Sequence, residues 1–125
     1  MQINESVENY LECILMLSQK GEVHSVMIAN ELHVTKASVS HAVKLLRQNG
    51  YITMDADNHL WLTQTGKIIA EDMYRRHRLL TDFLIELGVN ENTASEDACL
   101  MEHDISEETF NAIKTHMEKR SEDKK

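Results

Sequence analysis

The chain has 125 residues, 42% hydrophobic and 27% charged, the balance of a folded domain rather than a disordered one. With 13 Lys and Arg against 21 Asp and Glu, its formal charge is −8, the wrong sign overall for a chain that binds nucleic acid through bulk charge. No apolar run approaches the ~20 residues of a membrane span, the polar start excludes a signal peptide, and the two distant cysteines, Cys13 and Cys99, form no disulfide framework, so a reducing cytoplasm is expected.

Val7, Tyr10, Leu11, Ile14 and Leu15 recur at helical spacing and predict a first helix from Glu5 to Gln19, capped by Asn4 or Ser6 and ended by Lys20-Gly21-Glu22. A second helix is expected over 25–32. His33-Val34-Thr35 breaks it, and a third runs over 36–48 until Asn49-Gly50, residues that tolerate the left-handed conformation. Tyr51–Met54 and Leu60–Thr63 read as two short strands joined by 55–59 as a hairpin. Thr63 or Thr65 then caps a long helix over 66–87, ended by Gly88-Val89-Asn90. A helix over 92–103 follows, and a last one begins after Ser106, with Glu107 and Glu108 where the helix dipole favours acids, and runs to Lys119. The charged tail from Ser121 to Lys125 is expected to fray. The chain has no internal repeat, and its prolines number zero and its glycines four, which leaves no linker-like stretch.

Helix, helix–turn–helix and hairpin is the order of a winged helix–turn–helix. Ile28, Ala29, Leu32, Val34, Val39, Val43 and Leu46 supply its internal spacing: Ala29 is small where two helices cross, Val34 is expected to plug the corner, and Val39, Val43 and Leu46 form the buried stripe of the third helix. Lys36, Ser38, Ser40, His41, Lys44 and Arg47 lie off that stripe and are available to a DNA groove, and Thr35 suits a phosphate or base contact. Between His33 and Gly50 there are three basic residues and no acids, so the local charge is opposite to that of the chain. A plain three-helix core without DNA binding has the same internal spacing, and the hairpin and the basic face argue against it.

The second half carries different chemistry. From Glu86 to Ile113 there are eight acids and no Lys or Arg. Cys99, Glu102 and His103 stand at i, i+3 and i+4, so on a helix a thiolate, a carboxylate and an imidazole can meet on one side. Asn9 and Glu12 stand at i, i+3 on what reads as the polar side of the first helix, and His77 lies among Arg75, Arg76 and Arg78. Taken singly, each has a bland reading: a helical Cys is commonly a small core hydrophobe, and a His flanked by arginines a surface residue. His24, His33, His41, His59 and His116 show no ligand spacing and read as surface or DNA-facing residues.

From Ser6 to Lys119 the chain resembles the diphtheria-toxin-repressor and manganese-transport-regulator family of metal-dependent repressors. The carriers are Val7–Ile14, Val39–Leu46, Leu62–Lys67, Arg76–Leu80 and, most specifically, Ala98-Cys99-Leu100-Met101-Glu102-His103. The resemblance implies a mainly α fold: a winged helix–turn–helix over 1–65, a helical metal-binding and dimerisation region over 66–120 and a frayed tail over 121–125. It implies a short member without the SH3-like domain. It also implies a cytoplasmic homodimer that binds palindromic operators of metal-uptake genes when loaded with divalent metal.

Residue by residue the resemblance is a hybrid. Cys99, Glu102 and His103 match ligands of the iron-type primary site, where Asn9 replaces a Met that is Asp in the manganese type. Glu12 and His77 match second-site ligands of the manganese type, in which the Cys99 position is Glu. The iron type's ancillary site has a Glu and a His where this chain has Thr81 and Ser95. The implied donors are therefore Asn9, Glu12, His77, Cys99, Glu102 and His103, and the implied DNA contacts Thr35, Ala37, Ser38 and His41. A thiolate among nitrogen and oxygen donors shifts preference away from Mn2+ toward Fe2+, Co2+ or Zn2+, and cellular availability decides among them: Fe2+ is the expected effector, Mn2+ next, with Zn2+ or Co2+ able to bind in vitro, at one or two ions per chain. A winged helix–turn–helix that answers to no metal is the alternative, and a helical dimerisation module without DNA binding is another. A metal-dependent hydrolase using Glu102 or Glu12 as base lacks any nucleophile constellation, so neither an enzyme nor a small organic substrate is expected.

Overall fold

The computed structural model describes residues Glu5 to Asp123. They form α1 (Glu5–Ser18), α2 (Ser25–Leu32), α3 (Lys36–Gln48), β1 (Ile52–Met54), β2 (Leu60–Leu62), α4 (Gln64–Glu86), α5 (Glu91–Asp104) and α6 (Glu107–Asp123). The fold is mainly α with a winged helix–turn–helix at its start. The chain divides into two compact units, one ending at Met73 and the other beginning at Tyr74, so the division falls inside α4 rather than at its start. No helix among the described residues is long and apolar enough to cross a membrane.

In the first unit α1 packs on α2, α3 and β2, and α3 packs on α2 and β1. Leu11, Ile14, Ile28, Val39, Leu46, Ile52 and Leu60 are buried almost completely, and each such side chain contributes about 1.5–3 kcal/mol. The turn between α2 and α3 is made by His33, held at φ 56°, with the Val34 amide donating to the Ala29 carbonyl at 3.1 Å. Thr35 caps α3 by accepting from the Ser38 amide at 3.0 Å. Val34, expected to plug the corner, is instead 37% exposed: the turn carries its side chain out of the core, and the nearly closed Ala29 takes the crossing.

The wing is an antiparallel pair with Ile52 opposite Leu62, Thr53 opposite Trp61 and Met54 opposite Leu60. The Leu60 amide also donates to the Val23 carbonyl at 2.8 Å. Asp55 organises the wing turn: its carboxylate accepts from the amides of Asp57 (2.9 Å) and His59 (3.0 Å) and from the Trp61 indole N–H (3.1 Å). The indole hydrogen bond, followed by that from the His59 amide, holds the Asp55 carboxyl below its usual value. Behind the wing, Thr63 donates to the Gly50 carbonyl at 2.6 Å and accepts from the Gly66 amide at 3.2 Å, which caps α4. Gly66 has no room for a side chain, because a Cβ there would stand 2.1 Å from the Tyr51 carbonyl oxygen.

In the second unit α4 stops at Glu86, and Gly88, at φ 104°, turns the chain away two residues on. The Asn90 side chain caps α5 by accepting from the Asn92 amide at 2.9 Å, and Ser106 caps α6 by accepting from the Thr109 amide at 3.1 Å. The buried stripe of α5 is Ala94, Ala98 and Glu102, spaced by four, while Leu100 is 63% exposed. In α6, Phe110, Ile113 and Met117 are half-buried.

Element ends differ from expectation at a few places. Ser6 lies within α1 rather than before it, and Asn4, the other cap candidate, lies outside the described residues. Helix α6 continues through Ser121 to Asp123, so this part of the expected frayed tail is helical, and the remainder of that tail lies outside the described residues.

Candidate functional site

The nucleic-acid candidates come from α3 and its cap. Thr35, Lys36, Ala37, Ser38, Ser40, His41, Lys44 and Arg47 are all exposed, while Val39, Val43 and Leu46 face the core. The Thr35 hydroxyl also donates to the Ser38 hydroxyl at 2.9 Å, so this pair orders the start of the helix. Lys44 and Arg47 line a groove with Gln48, Ile52, Thr53 and Met54, which joins the outer face of α3 to the wing. The Arg47 guanidinium reaches the Met54 sulfur at 3.9 Å. Sequence reasoning missed Gln48 and Thr53. The outward register of Thr53, opposite Trp61, was the signal for the second.

His59 differs from expectation. It is buried, with its ring centroid 4.0 Å from that of Trp61 and 5.9 Å from that of His24. Trp61 itself is 52% exposed, held by its bond to Asp55.

The metal candidates are distributed as follows. Within the second unit, His77 of α4 and Glu102 and His103 of α5 come together. His77 Nδ1 stands 3.2 Å from Glu102 Oε2, and His103 Nε2 stands 3.3 Å from Glu102 Oε1. Glu102 is wholly buried and the His103 side chain nearly so. Neither Glu102 oxygen accepts a hydrogen bond among the described residues. A carboxylate removed from water, with imidazole nitrogens against both oxygens and no aligned donor, is the donor set and the charge deficit that fit a divalent cation. The other ring nitrogen of His77, Nε2, is 3.4 Å from the Ser95 hydroxyl, and Thr81 donates to the His77 carbonyl at 2.7 Å. Ser95 therefore orients the His77 ring, while Thr81 bonds only its main chain. Cys99, one turn before this group on α5, is exposed.

In the first unit Glu12 is buried and Asn9 half-buried on α1. Glu12 was expected on a polar side, but it lies inside the buried run Tyr10–Leu15. An acid interrupting so apolar a run is a signal the spacing argument passed over. Its neighbour Cys13 is buried; that burial, then the carboxylates of Glu31 and Glu12, push its thiol up to about 11, so it stays a protonated core group.

Sequence reasoning also missed Arg76. It is buried on α4, donates to the Glu102 carbonyl oxygen at 2.8 Å, pairs with the Glu107 carboxylate and lies 4.8 Å from the Phe110 ring centroid. Its place between Met73 and Leu80 at helical spacing marked it as a core position.

Two family models match the chain: "Iron dependent repressor, N-terminal DNA binding domain" over residues 2–60, and "Iron dependent repressor, metal binding and dimerisation domain" over 63–125. An uncharacterised HTH-type transcriptional regulator of Methanocaldococcus jannaschii is 32% identical over 120 residues, covering 94% of this chain and 96% of that protein. The transcriptional regulator MntR of Escherichia coli O157:H7 is 34% identical over 116 residues, covering 92% of this chain and 75% of that one. Among solved structures, the manganese regulator SloR matches with a TM-score of 0.79 and 29% identity over 94% of this chain and 55% of its own. The chain thus spans about half the length of that solved structure.

Proposed function

The chain belongs to the iron-dependent repressor family, and from that premise we propose that it is a divalent-metal-dependent transcriptional repressor, cytoplasmic, acting as a homodimer on palindromic operators of metal-uptake genes. It is a regulator and not an enzyme. The observation that carries the reading is the buried Glu102 carboxylate, flanked by His77 Nδ1 and His103 Nε2, in a chain whose α3 presents a basic, small-residue face. In functional terms 1–65 is the DNA-binding domain and 66–120 the metal-binding and dimerisation domain.

His77, Glu102 and His103 would hold the ion, and the resemblance adds Asn9, Glu12 and Cys99 to the proposed donors. When bound, the ion supplies positive charge that compensates the buried carboxylate and favours the DNA-competent form of the dimer. Ser95, against Nε2, keeps the His77 ring oriented. Lys36, Lys44 and Arg47 offer cations to backbone phosphates, and Ala37, Ser38, Ser40 and His41 offer small or polar groups to base edges. Two such helices in a dimer serve half-sites about 34 Å apart. Ile85, Leu87 and Leu100 are large apolar side chains left exposed in the second unit, which supports self-association.

The effector is Fe2+ or Mn2+. The nitrogen and oxygen donors gathered around Glu102 suit both, and the likeness to the manganese regulator SloR supports Mn2+. A Cys99 thiolate in the donor set would favour Fe2+. Anaerobic titration of Fe2+ and Mn2+ while following operator binding by fluorescence anisotropy tests the reading. Tight binding that chelation abolishes is expected, and equal affinity with and without metal refutes it in favour of a regulator that ignores metal. A Cys99→Ala chain with unchanged Fe2+ over Mn2+ preference would remove the thiolate from the donor set.

A further inference from the structure

We propose that Arg76 is a positioning residue for the metal centre, holding Glu102 by its main chain while the adjacent His77 faces its side chain; this rests on the metal reading above. Helix α5 ends at Asp104, and Ile105 is extended at ψ 151°, so the chain turns away before an amide can reach the Glu102 carbonyl in helical fashion. The last carbonyls of a helix need partners from elsewhere. Arg76 provides one, donating at 2.8 Å from a buried position. Residues 76 and 77 are consecutive on α4, so a guanidinium and an imidazole meet the same residue from its backbone and its carboxylate.

The same guanidinium pairs with Glu107 in the first turn of α6 and lies 4.8 Å from the Phe110 centroid. One planar group therefore joins the end of α5 to the start of α6. Only a fork of several donors can do this: a lysine ammonium is a single point charge and serves fewer of these partners at once. Metal sites demand placement of their donors to within about 0.5 Å, so loosening this junction degrades the spacing of His77, Glu102 and His103 without removing a ligand.

Titration with Co2+ followed by visible ligand-field absorption, beside circular dichroism of the metal-free chain, tests it. Arg76→Met is expected to keep its helix content, to bind Co2+ about 10–100-fold more weakly, and to shift the absorption bands. Arg76→Lys is expected to fall between that variant and the parent, and decides the matter if Arg76→Met does not fold. A folded variant with parental Co2+ affinity and bands, or one that loses thermal stability alone, overturns the positioning role and leaves the metal reading standing. A parent chain that binds no Co2+ overturns both.

Discussion

The two units place their functional groups in opposite ways. In the first, the DNA-contact candidates are exposed and stand on a helix whose other face is Val39, Val43 and Leu46, so the polar residues are those left over once the core is satisfied. In the second, the functional groups are themselves the core: Glu102 continues the stripe begun by Ala94 and Ala98, and Arg76 sits between Met73 and Leu80. A surface site tolerates change around it because water compensates each polar group. A buried site depends on every partner, since an uncompensated buried charge is costly.

This contrast can be broken or sharpened by substitution. The largest effect is expected at Gly66→Ala, where a Cβ 2.1 Å from the Tyr51 carbonyl oxygen forces the wing away from α4. Urea unfolding should show a loss of about 3 kcal/mol, and a loss below ~1 kcal/mol would mean that the junction yields easily.

Glu102→Gln comes next. Metal affinity should fall at least about 100-fold by equilibrium dialysis, more than a supporting residue would cost. The metal-free chain should melt no lower than the parent, because a buried charge has been removed. A lower midpoint would make Glu102 a structural acid.

Lys44→Ala and Arg47→Ala probe the exposed side. Each should lower the slope of log affinity against log salt by about 1 while leaving metal binding and stability near parental. An unchanged slope would favour a dimerisation module without DNA binding.

The smallest effect is expected at the wing. Because the Asp55 carboxyl is held below its usual value by the Trp61 indole and the His59 amide, its contribution is complete above the ordinary carboxylate range and lost as pH falls through the lowered value. Trp61 fluorescence should report that loss in acid, and Asp55→Asn should abolish the transition.

How far sequence alone could be read follows from the same contrast. Helical spacing and turn chemistry located α1 to α4 because their cores are apolar, and the outward face of α3 followed directly. Periodicity was misleading where polar residues take core positions. Glu12 reads as a polar face although it lies in the buried run Tyr10–Leu15, and Arg76, at core spacing between Met73 and Leu80, is masked by the neighbouring arginines. Val34 shows the converse, an apolar residue left exposed by a left-handed turn at His33. The donor candidates His77, Glu102 and His103 were legible only through the resemblance and local spacing. The contacts that orient them, from Ser95 and Arg76, join α4 to α5 and have no sequence period.

X-ray absorption on the Mn2+-loaded chain tests the central claim most directly. The account predicts an inner coordination sphere of oxygens with two imidazoles, falling to one in His77→Gln. A sphere without imidazole, or one unchanged by that substitution, would contradict it.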